Sequence, residues 1–194
     1  MTPRLVALAD TPPQPWRNGG GVTRELLAWP DGGDWAVRVS VAEIEADGPF
    51  SAFPGVERWF AVLEGGGVAL TIAGVEHRCR AGDAALSFPG DAPVDCRLLR
   101  GPSRDLNLML RGGRGAMQRV VDGEAWAPPP AGRCGLYALA AGRCQVDAAA
   151  IDLPAGSLAW FDAAPVALTF QPEQATMNRM PGWWLAAHAE EPDA

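Results

Sequence analysis

The sequence is poor in the residues that most often build catalytic metal centres. Its 194 residues include only two histidines, His77 and His188, which stand far apart in the chain. Because protein metal sites usually need several convergent His, Cys or carboxylate ligands, we expect no metal and no other cofactor. A G-x-S-x-G motif is also missing, and neither histidine has a nucleophile beside it. The sequence leaves the question of catalysis open but favours a protein that is not an enzyme.

Cysteine is scarce as well, and its spacing indicates no metal or redox motif. The four cysteines, Cys79, Cys96, Cys134 and Cys144, form no C-x-x-C pair. The chain also starts without the charged-then-apolar pattern of an export signal, so we expect reduced, mostly buried thiols in a cytoplasmic protein. No apolar run approaches the roughly 18 residues of a membrane span, and no membrane partner is expected.

Lysine is absent, so all 16 basic residues are arginines. They are dispersed along a chain whose net charge is −7. A nucleic-acid-binding surface normally needs clustered positive charge, and we therefore expect no nucleic-acid partner.

What the chain does contain is a series of short apolar runs separated by glycine and proline. Three such runs lie between Arg58 and Arg111, a pattern typical of an all-β barrel or sandwich. Past Gly112 the composition loosens towards three consecutive prolines, and strand-like runs then resume. A weak repeat relates residues 82–94 to residues 156–166. We expect one compact body (1–194) with two similar halves, at about 16–112 and 133–188, joined by a connector at about 113–132.

Alternation within two of the runs groups polar side chains on one strand face. Arg38 and Ser40 share a face in the first run, which ends at Glu43, and Asp105, Asn107, Met109 and Arg111 share a face in the second. Such a face either meets solvent or lines a pocket. Alternation alone does not decide which of the two faces is inside.

Two further features bear on a site. Arg58 opens an apolar run, and a buried arginine costs several kcal/mol unless a carboxylate such as Glu43, Glu64 or Asp105 pairs with it. The alternative is an exposed arginine at a strand mouth. The triple glycine at 19–21, flanked by Trp16 and Asn18, predicts a turn that is either a structural hairpin or a binding loop.

Five stretches in one order resemble the HutD/Ves family of the cupin superfamily. They are W-R-N-G-G-G-V-T-R-E-L from Trp16, W-A-V-R-V-S-V-A-E-I from Trp35, D-G-P-F-S-A-F-P-G from Asp47, F-P-G-D-A-P-V-D-C-R-L from Phe88 and R-D-L-N-L-M-L-R from Arg104. The resemblance covers roughly residues 16–111. It implies an all-β, two-cupin (bicupin) double-stranded β-helix or sandwich with few short helices, in a bacterial cytoplasmic protein.

The resemblance also implies a function. HutD members are associated with histidine utilisation, as regulators that bind a pathway intermediate such as urocanate or N-formylglutamate, whereas Ves members are named for environmental stress. One position argues against the metal site of other cupins, because Pro93 stands where a cupin commonly places a histidine.

We therefore expect a metal-free cupin that binds a small carboxylate metabolite and acts in regulation. Arginine binds a carboxylate through two parallel hydrogen bonds, amides and hydroxyls orient it, and aromatic rings cover its apolar part. The candidate ligand-binding residues are the clamps Arg38, Arg58 and Arg111, the orienting donors Asn18, Ser40 and Asn107, the charge partners Glu43 and Asp105, and the walls Trp16, Phe50 and Met109.

Two alternatives stay open. One is a metal-independent cupin enzyme acting on such a metabolite, and the other is a protein-interaction scaffold related to stress response. A homodimer is also left open, because sheet edges and exposed aromatic residues such as Trp183 and Trp184 would favour association.

Overall fold

The chain is built almost entirely of antiparallel strands. A computed structural model describes residues 2–31, 33–174 and 180–189. Among these residues the helical content is one 3₁₀ turn, Leu8–Asp10, and no helix is long and apolar enough to cross a membrane. The predicted all-β class is thereby confirmed.

The strands are numbered in chain order. They are β1 (Arg4–Ala7), β2 (Gln14–Pro15), β3 (Gly21–Trp29), β4 (Val37–Ile44), β5 (Gly48–Pro49), β6 (Val56–Gly65), β7 (Val68–Ile72), β8 (Val75–Cys79), β9 (Leu86–Pro89), β10 (Val94–Leu98), β11 (Ser103–Arg111), β12 (Gly113–Arg119), β13 (Ala125–Trp126), β14 (Arg133–Ala138), β15 (Gly142–Val146), β16 (Ala149–Leu153), β17 (Ser157–Phe161), β18 (Leu168–Pro172) and β19 (Gly182–Ala189).

The chain divides into two compact units. The N-terminal unit is Thr11–Gly112, and the C-terminal unit combines Met1–Asp10 with Gly113–Ala194. In the N-terminal unit one sheet has the order β2-β3-β4-β11-β6-β9 and the other the order β5-β10-β7-β8. Both sheets contribute to one apolar cluster that includes Phe60, Val62, Leu70 and Val94. The cluster fixes which face of each strand points inward.

The C-terminal unit repeats this topology. Its sheets have the orders β1-β17-β14-β19-β12 and β13-β18-β15-β16, so strands β12–β19 take the places that β4–β11 take in the N-terminal unit. The repeat detected in the sequence follows this duplication, since Gly82 and Gly156, both with positive φ, precede β9 and β17. The interior of this unit is apolar, with Leu136, Phe161 and Phe170 among its buried residues.

The second half begins earlier than the sequence predicted. Residues 113–132, expected as a connector, contain β12 and β13. Strand β12 lies at the edge of its sheet and pairs only with β19 among the described strands. Its sequence contains two glycines, which are depleted in strands, and for that reason the sequence did not predict it. The three prolines follow β13. The acidic sequence beyond residue 189 predicts a frayed tail, and those residues lie outside the described ones.

Two expectations about individual side chains have opposite outcomes. Trp183 and Trp184 are buried in β19, which lies between β12 and β14, so the expectation that they are exposed is wrong, and a homodimer stays a prediction without their support. The four cysteines are free and buried, as predicted. Burial raises the pKa of the Cys79 thiol to about 11 and those of Cys96, Cys134 and Cys144 to about 12, which makes these thiols poor nucleophiles at neutral pH.

Candidate functional site

A cavity of about 520 Å³ lies in the N-terminal unit. Nine of the eleven candidate residues line it, namely Trp16, Asn18, Arg38, Ser40, Phe50, Arg58, Asp105, Asn107 and Met109. Asp105 is the acidic residue of the wall, and the basic residues are Arg17, Arg38 and Arg58. That these residues bind a ligand remains a prediction.

Strands β4, β11 and β6 supply the polar wall in cross-strand rows. Met109 of β11 lies opposite Arg38 of β4 and Arg58 of β6, and the next row places Asn107 opposite Ser40. Asp105 follows one row further along β11. The side chains therefore converge because antiparallel pairing sets equivalent positions of three strands side by side on one face.

Arg58 is the central cation of the cavity. Its side chain points inward and the residue is 5% exposed. Of the two sequence alternatives, the buried arginine is therefore the correct one. The guanidinium carbon lies 5.3, 5.6 and 5.1 Å from the ring centroids of Phe50, Phe53 and Phe88. Burial lowers the pKa of Arg58 to about 10, so the group stays charged at neutral pH. Aromatic faces offset part of the cost of burying this charge.

The hydrogen bonds of Arg58 are incomplete. Its Nη2 donates to Oδ1 of Asn107 at 3.0 Å, whereas Nε, also buried, has no acceptor among the described residues. Asn107 in turn donates from Nδ2 to Oδ1 of Asp105. A single amide thus links the guanidinium to the carboxyl.

Asp105 is the carboxylate candidate that faces Arg58. It is 1% exposed, and its Oδ2 finds no partner in the described part of the chain. Burial raises the pKa of Asp105 to about 8, although the charge of Arg58 and the hydrogen bond from Asn107 act in the opposite direction. The carboxyl is therefore mainly protonated at pH 7, and it leaves the charge of Arg58 largely uncompensated.

Arg38, the second arginine of the polar wall, has its own counter-ion. Its Nε donates to Oε2 of Glu25 at 2.7 Å, and both side chains are partly exposed. Glu25 lies on β3, the strand next to β4. The ion pair leaves Arg58 as the less compensated of these two cations.

The triple-glycine segment forms the structural hairpin that was one of the two sequence alternatives, and a binding role for it stays a prediction. It closes the β2–β3 hairpin, where the backbone N–H of Trp16 donates to the carbonyl of Gly21 at 2.9 Å. The same turn places Trp16 and Asn18 in the cavity wall. Trp16 is fixed further by a 2.7 Å hydrogen bond from its indole N–H to Thr23 Oγ1.

Two candidate residues lie outside the cavity. Glu43 is on the opposite face of β4 from Arg38 and Ser40, and it accepts hydrogen bonds from Arg24 at 2.9 Å and Arg104 at 3.1 Å. Arg111 shares the face of Asp105 but lies at the end of β11, half exposed, 4.9 Å from the ring centroid of Trp35. Glu43 is outside the cavity because its side chain is on the other face of β4. Arg111 is outside because it lies at the end of β11, beyond the cavity wall.

Several lining residues were not among the candidates. The alternation that placed Arg38 and Ser40 on one face could have indicated Ala42, whereas Thr23 lies in the wall because the pairing of β3 with β4 sets it opposite Ala42. No sequence signal pointed to Gln14 and Pro15, which enter the wall only because β2 pairs with β3.

The structure offers few ligands for a metal. Across residues 2–31, 33–174 and 180–189, no group of three or more His, Cys, Asp or Glu side chains is arranged to hold a metal ion. The two histidines lie on β8 and β19, and neither belongs to the cavity wall.

Comparison with known proteins places the chain among bacterial relatives. The family model HutD matches residues 8–177. An uncharacterized 21.2 kDa protein in the hutC 3′ region of Pseudomonas putida is 40% identical over 110 residues, and protein Ves of Citrobacter koseri is 42% identical over 110 residues. Each match covers 55% of this chain and 57% or 58% of the relative. The chain thus spans little more than half the length of the curated relatives it matches.

Solved structures resemble the whole chain. A conserved protein of unknown function from Pseudomonas aeruginosa PAO1 is 31% identical, with a TM-score of 0.79 over 97% of this chain and 98% of its own. HutD from Pseudomonas fluorescens SBW25 is 24% identical, with a TM-score of 0.81 over 98% and 100%. A mutant oxalate decarboxylase of Bacillus subtilis shares 11% identity, with a TM-score of 0.63 over 100% and 79%. The similarity to HutD and to oxalate decarboxylase shows the fold alone. That fold is a bicupin.

Proposed function

The chain belongs to the HutD family, and on that premise we propose that it binds a small carboxylate metabolite in the cavity of its N-terminal unit. The observation that carries this proposal is Arg58. The residue is a buried guanidinium with an unsatisfied Nε, and its facing carboxyl, Asp105, is mainly neutral at pH 7.

The energetics favour an anionic ligand at this point. A buried charge without a counter-ion costs several kcal/mol, and a buried donor without an acceptor adds to that cost. A ligand carboxylate beside Arg58 would supply the counter-charge. Ser40 and Asn107 lie in the neighbouring row to orient it, and Trp16 and Phe50 would cover its apolar part. A cavity of about 520 Å³ has the size of a small-metabolite site.

The relatives suggest which carboxylates to test. The Pseudomonas putida relative is named for a hut gene region, and the HutD family is associated with histidine utilisation. Urocanate and N-formylglutamate are intermediates of that pathway, and each carries at least one carboxylate. We propose that the protein senses one of them and acts in the regulation of histidine utilisation in the cytoplasm.

The test is a thermal-shift series with urocanate, N-formylglutamate, glutamate and histidine, with and without EDTA. A ligand at a hundred times its Kd should stabilise the folded protein by about 2.7 kcal/mol. We expect a shift with one acid that EDTA does not change and that Arg58→Met abolishes. Methionine fills the same space without a charge, so this variant should remain folded.

Arg111→Met provides the matched control, because it removes an arginine that lies outside the cavity. It should keep the full ligand-induced shift. A shift that survives in Arg58→Met would refute the assignment of Arg58. If no acid shifts the wild-type protein, the scaffold alternative gains support.

One observation favours a second candidate function, that of a metal-independent enzyme. Asp105 is a cavity carboxyl with a pKa of about 8, close to the value that suits a general acid or base at neutral pH. Incubation of each acid with the protein, followed by proton NMR, would detect conversion. Turnover that Asp105→Asn abolishes would establish this function, whereas unchanged spectra would exclude it for these acids.

A further inference from the structure

The cavity contains a short hydrogen-bonded relay whose last member has no charge partner in contact. Arg58 donates to Asn107, and Asn107 donates to Asp105. The second carboxyl oxygen of Asp105 makes no hydrogen bond to any described residue. Since Asn107 uses its oxygen towards Arg58 and its nitrogen towards Asp105, this amide connects the guanidinium to the carboxyl.

The surroundings of Asp105 are mostly apolar. Its neighbours in the sheet are Ala42 on β4 and Val62 on β6. The ionisable groups of the surrounding elements are Arg58 on β6, Arg38 on β4 with its partner Glu25 on β3, Arg17 in the turn between β2 and β3, and Cys96 on β10. Burial raises the pKa of Cys96 to about 12 and lowers that of Arg58 to about 10. Asp105, with a pKa of about 8, therefore changes charge before Cys96 and Arg58 as the pH rises above neutral.

We propose that ligand uptake is coupled to one proton on Asp105, so that a carboxylate binds at Arg58 only while Asp105 is neutral. This inference rests on the proposed function. An ionised Asp105 and a ligand carboxylate would compete for one guanidinium in a buried site, where like charges repel strongly. A neutral Asp105 leaves that guanidinium to the ligand.

The direction of the pH dependence follows from this linkage. A bound carboxylate raises the pKa of Asp105 further above its free value of about 8. Below pH 7 the proton is already in place, so affinity is constant and binding moves no proton on Asp105. Above pH 8 the carboxylate of Asp105 takes up a proton from solution as the ligand binds, and Kd rises about tenfold per pH unit.

The experiment is isothermal titration of the full chain with N-formylglutamate, and separately with urocanate, from pH 6 to 9.5. Each pH is measured in two buffers of different ionisation enthalpy, which gives the number of protons taken up. The carboxylates of N-formylglutamate titrate near pH 4, so its charge is constant over the range. We expect a constant Kd up to pH 7, about tenfold weaker binding at pH 9.5 than at pH 8.5, and proton uptake approaching one per ligand.

Asp105→Asn keeps a neutral side chain of the same shape and should make Kd independent of pH up to about pH 9, above which Arg58, with a pKa of about 10, begins to lose its charge. Asp95→Asn, at an exposed position on β10, makes the same chemical change outside the cavity and should keep the wild-type profile. The proton count on the wild-type protein tests the inference even if Asp105→Asn does not fold.

The outcomes separate this inference from the proposed function. Binding with a flat profile and no proton uptake would overturn the coupling and leave carboxylate binding intact. A wild-type pH profile in Asp105→Asn would likewise overturn it, because another group would then carry the proton. No binding of either acid at any pH would refute the proposed function and the coupling together.

Discussion

At the scale of single residues, Arg58 and Asp105 face each other without a strong ion pair. The guanidinium is held by three phenylalanine rings and one amide, and the carboxyl is so buried that its pKa is about 8. A closely paired Asp–Arg couple would instead show a lowered carboxyl pKa. A buried and poorly paired charge is costly, and perturbed groups of this kind cluster at functional sites.

The cost should be visible in the pH dependence of stability. Asp105 has a pKa of about 8 in the folded chain and an ordinary value of 3.8. Between these values the folded state holds a proton that the unfolded state has lost, so this group makes stability fall by about 1.4 kcal/mol per pH unit as the pH rises. Its stabilising contribution is complete below pH 4 and lost as the pH passes 8.

Asp105→Asn removes this titration. The free energy of unfolding of the variant minus that of the wild type should therefore increase steadily from pH 5 to pH 8 and then level off. Urea unfolding at one-unit intervals measures the difference. Asp95→Asn should run parallel to wild type across the same range. A difference between Asp105→Asn and wild type that does not change with pH would show that Asp105 is ionised in the folded protein.

At the scale of elements, strand alternation allowed much of the site to be predicted. It grouped Arg38 with Ser40 and Asp105 with Asn107 and Met109, and the structure places all five in the cavity wall. It also put Glu43 on the other face of β4, but it could not show which face lines the cavity, because both faces carry buried residues. Only the pairing of β4 with β11 and β3 shows that Glu43 meets Arg24 and Arg104.

The sequence also could not predict where along a strand the cavity wall ends. Arg111 has the correct parity, but it closes β11 beyond Met109 and lies beside Trp35. The wall residues of β2 could not be predicted at all, because a two-residue strand has no period of its own. Local pattern thus predicts which residues share a face, whereas long-range pairing decides where that face ends.

The β2–β3 hairpin depends on the close approach of one glycine. A Cβ at Gly21 would lie 2.2 Å from the carbonyl oxygen of Glu43, whereas a Cβ at Gly20 would lie 3.4 Å from Oδ1 of Asn18. We expect Gly21→Ala to lower the free energy of unfolding by about 1–3 kcal/mol, as overpacking usually does. It should also weaken carboxylate binding, since Trp16 and Asn18 are carried by the same turn.

Gly20→Ala is the matched neighbour, and it should change stability by less than Gly21→Ala does. Urea unfolding and the ligand-induced thermal shift measure the two effects. Equal losses in the two variants would show that close approach at Gly21 is not what holds the hairpin in place.

At the scale of the whole molecule, one topology occurs twice with different interiors. The N-terminal unit carries a polar wall and a cavity, whereas the described core of the C-terminal unit is apolar, from Leu136 to Trp184. The sequence predicted the duplication from a weak repeat, but it placed the second half too late because the edge strand β12 lacks a strong pattern. Each unit also holds two buried thiols, Cys79 with Cys96 and Cys134 with Cys144.

The reaction of these thiols with a labelling reagent should depend on unfolding of the chain. Since burial holds their pKa values at about 11 to 12, few thiolates form at neutral pH and a disulfide reagent should label the native protein very slowly. In urea all four should react, and mass spectrometry of the digested chain would assign labels to each unit. Rapid labelling of any cysteine in the native protein would contradict the buried positions described above.

The pairing of β1 affects the order in which parts of the chain can fold during synthesis. It pairs with β17, so Arg4 lies opposite Trp160, and the entire N-terminal unit separates the two in sequence. On the ribosome β1 emerges before β17, so it lacks this partner while residues 11–112 are being made. Strand β1 can therefore join its sheet only after the whole N-terminal unit has been synthesised.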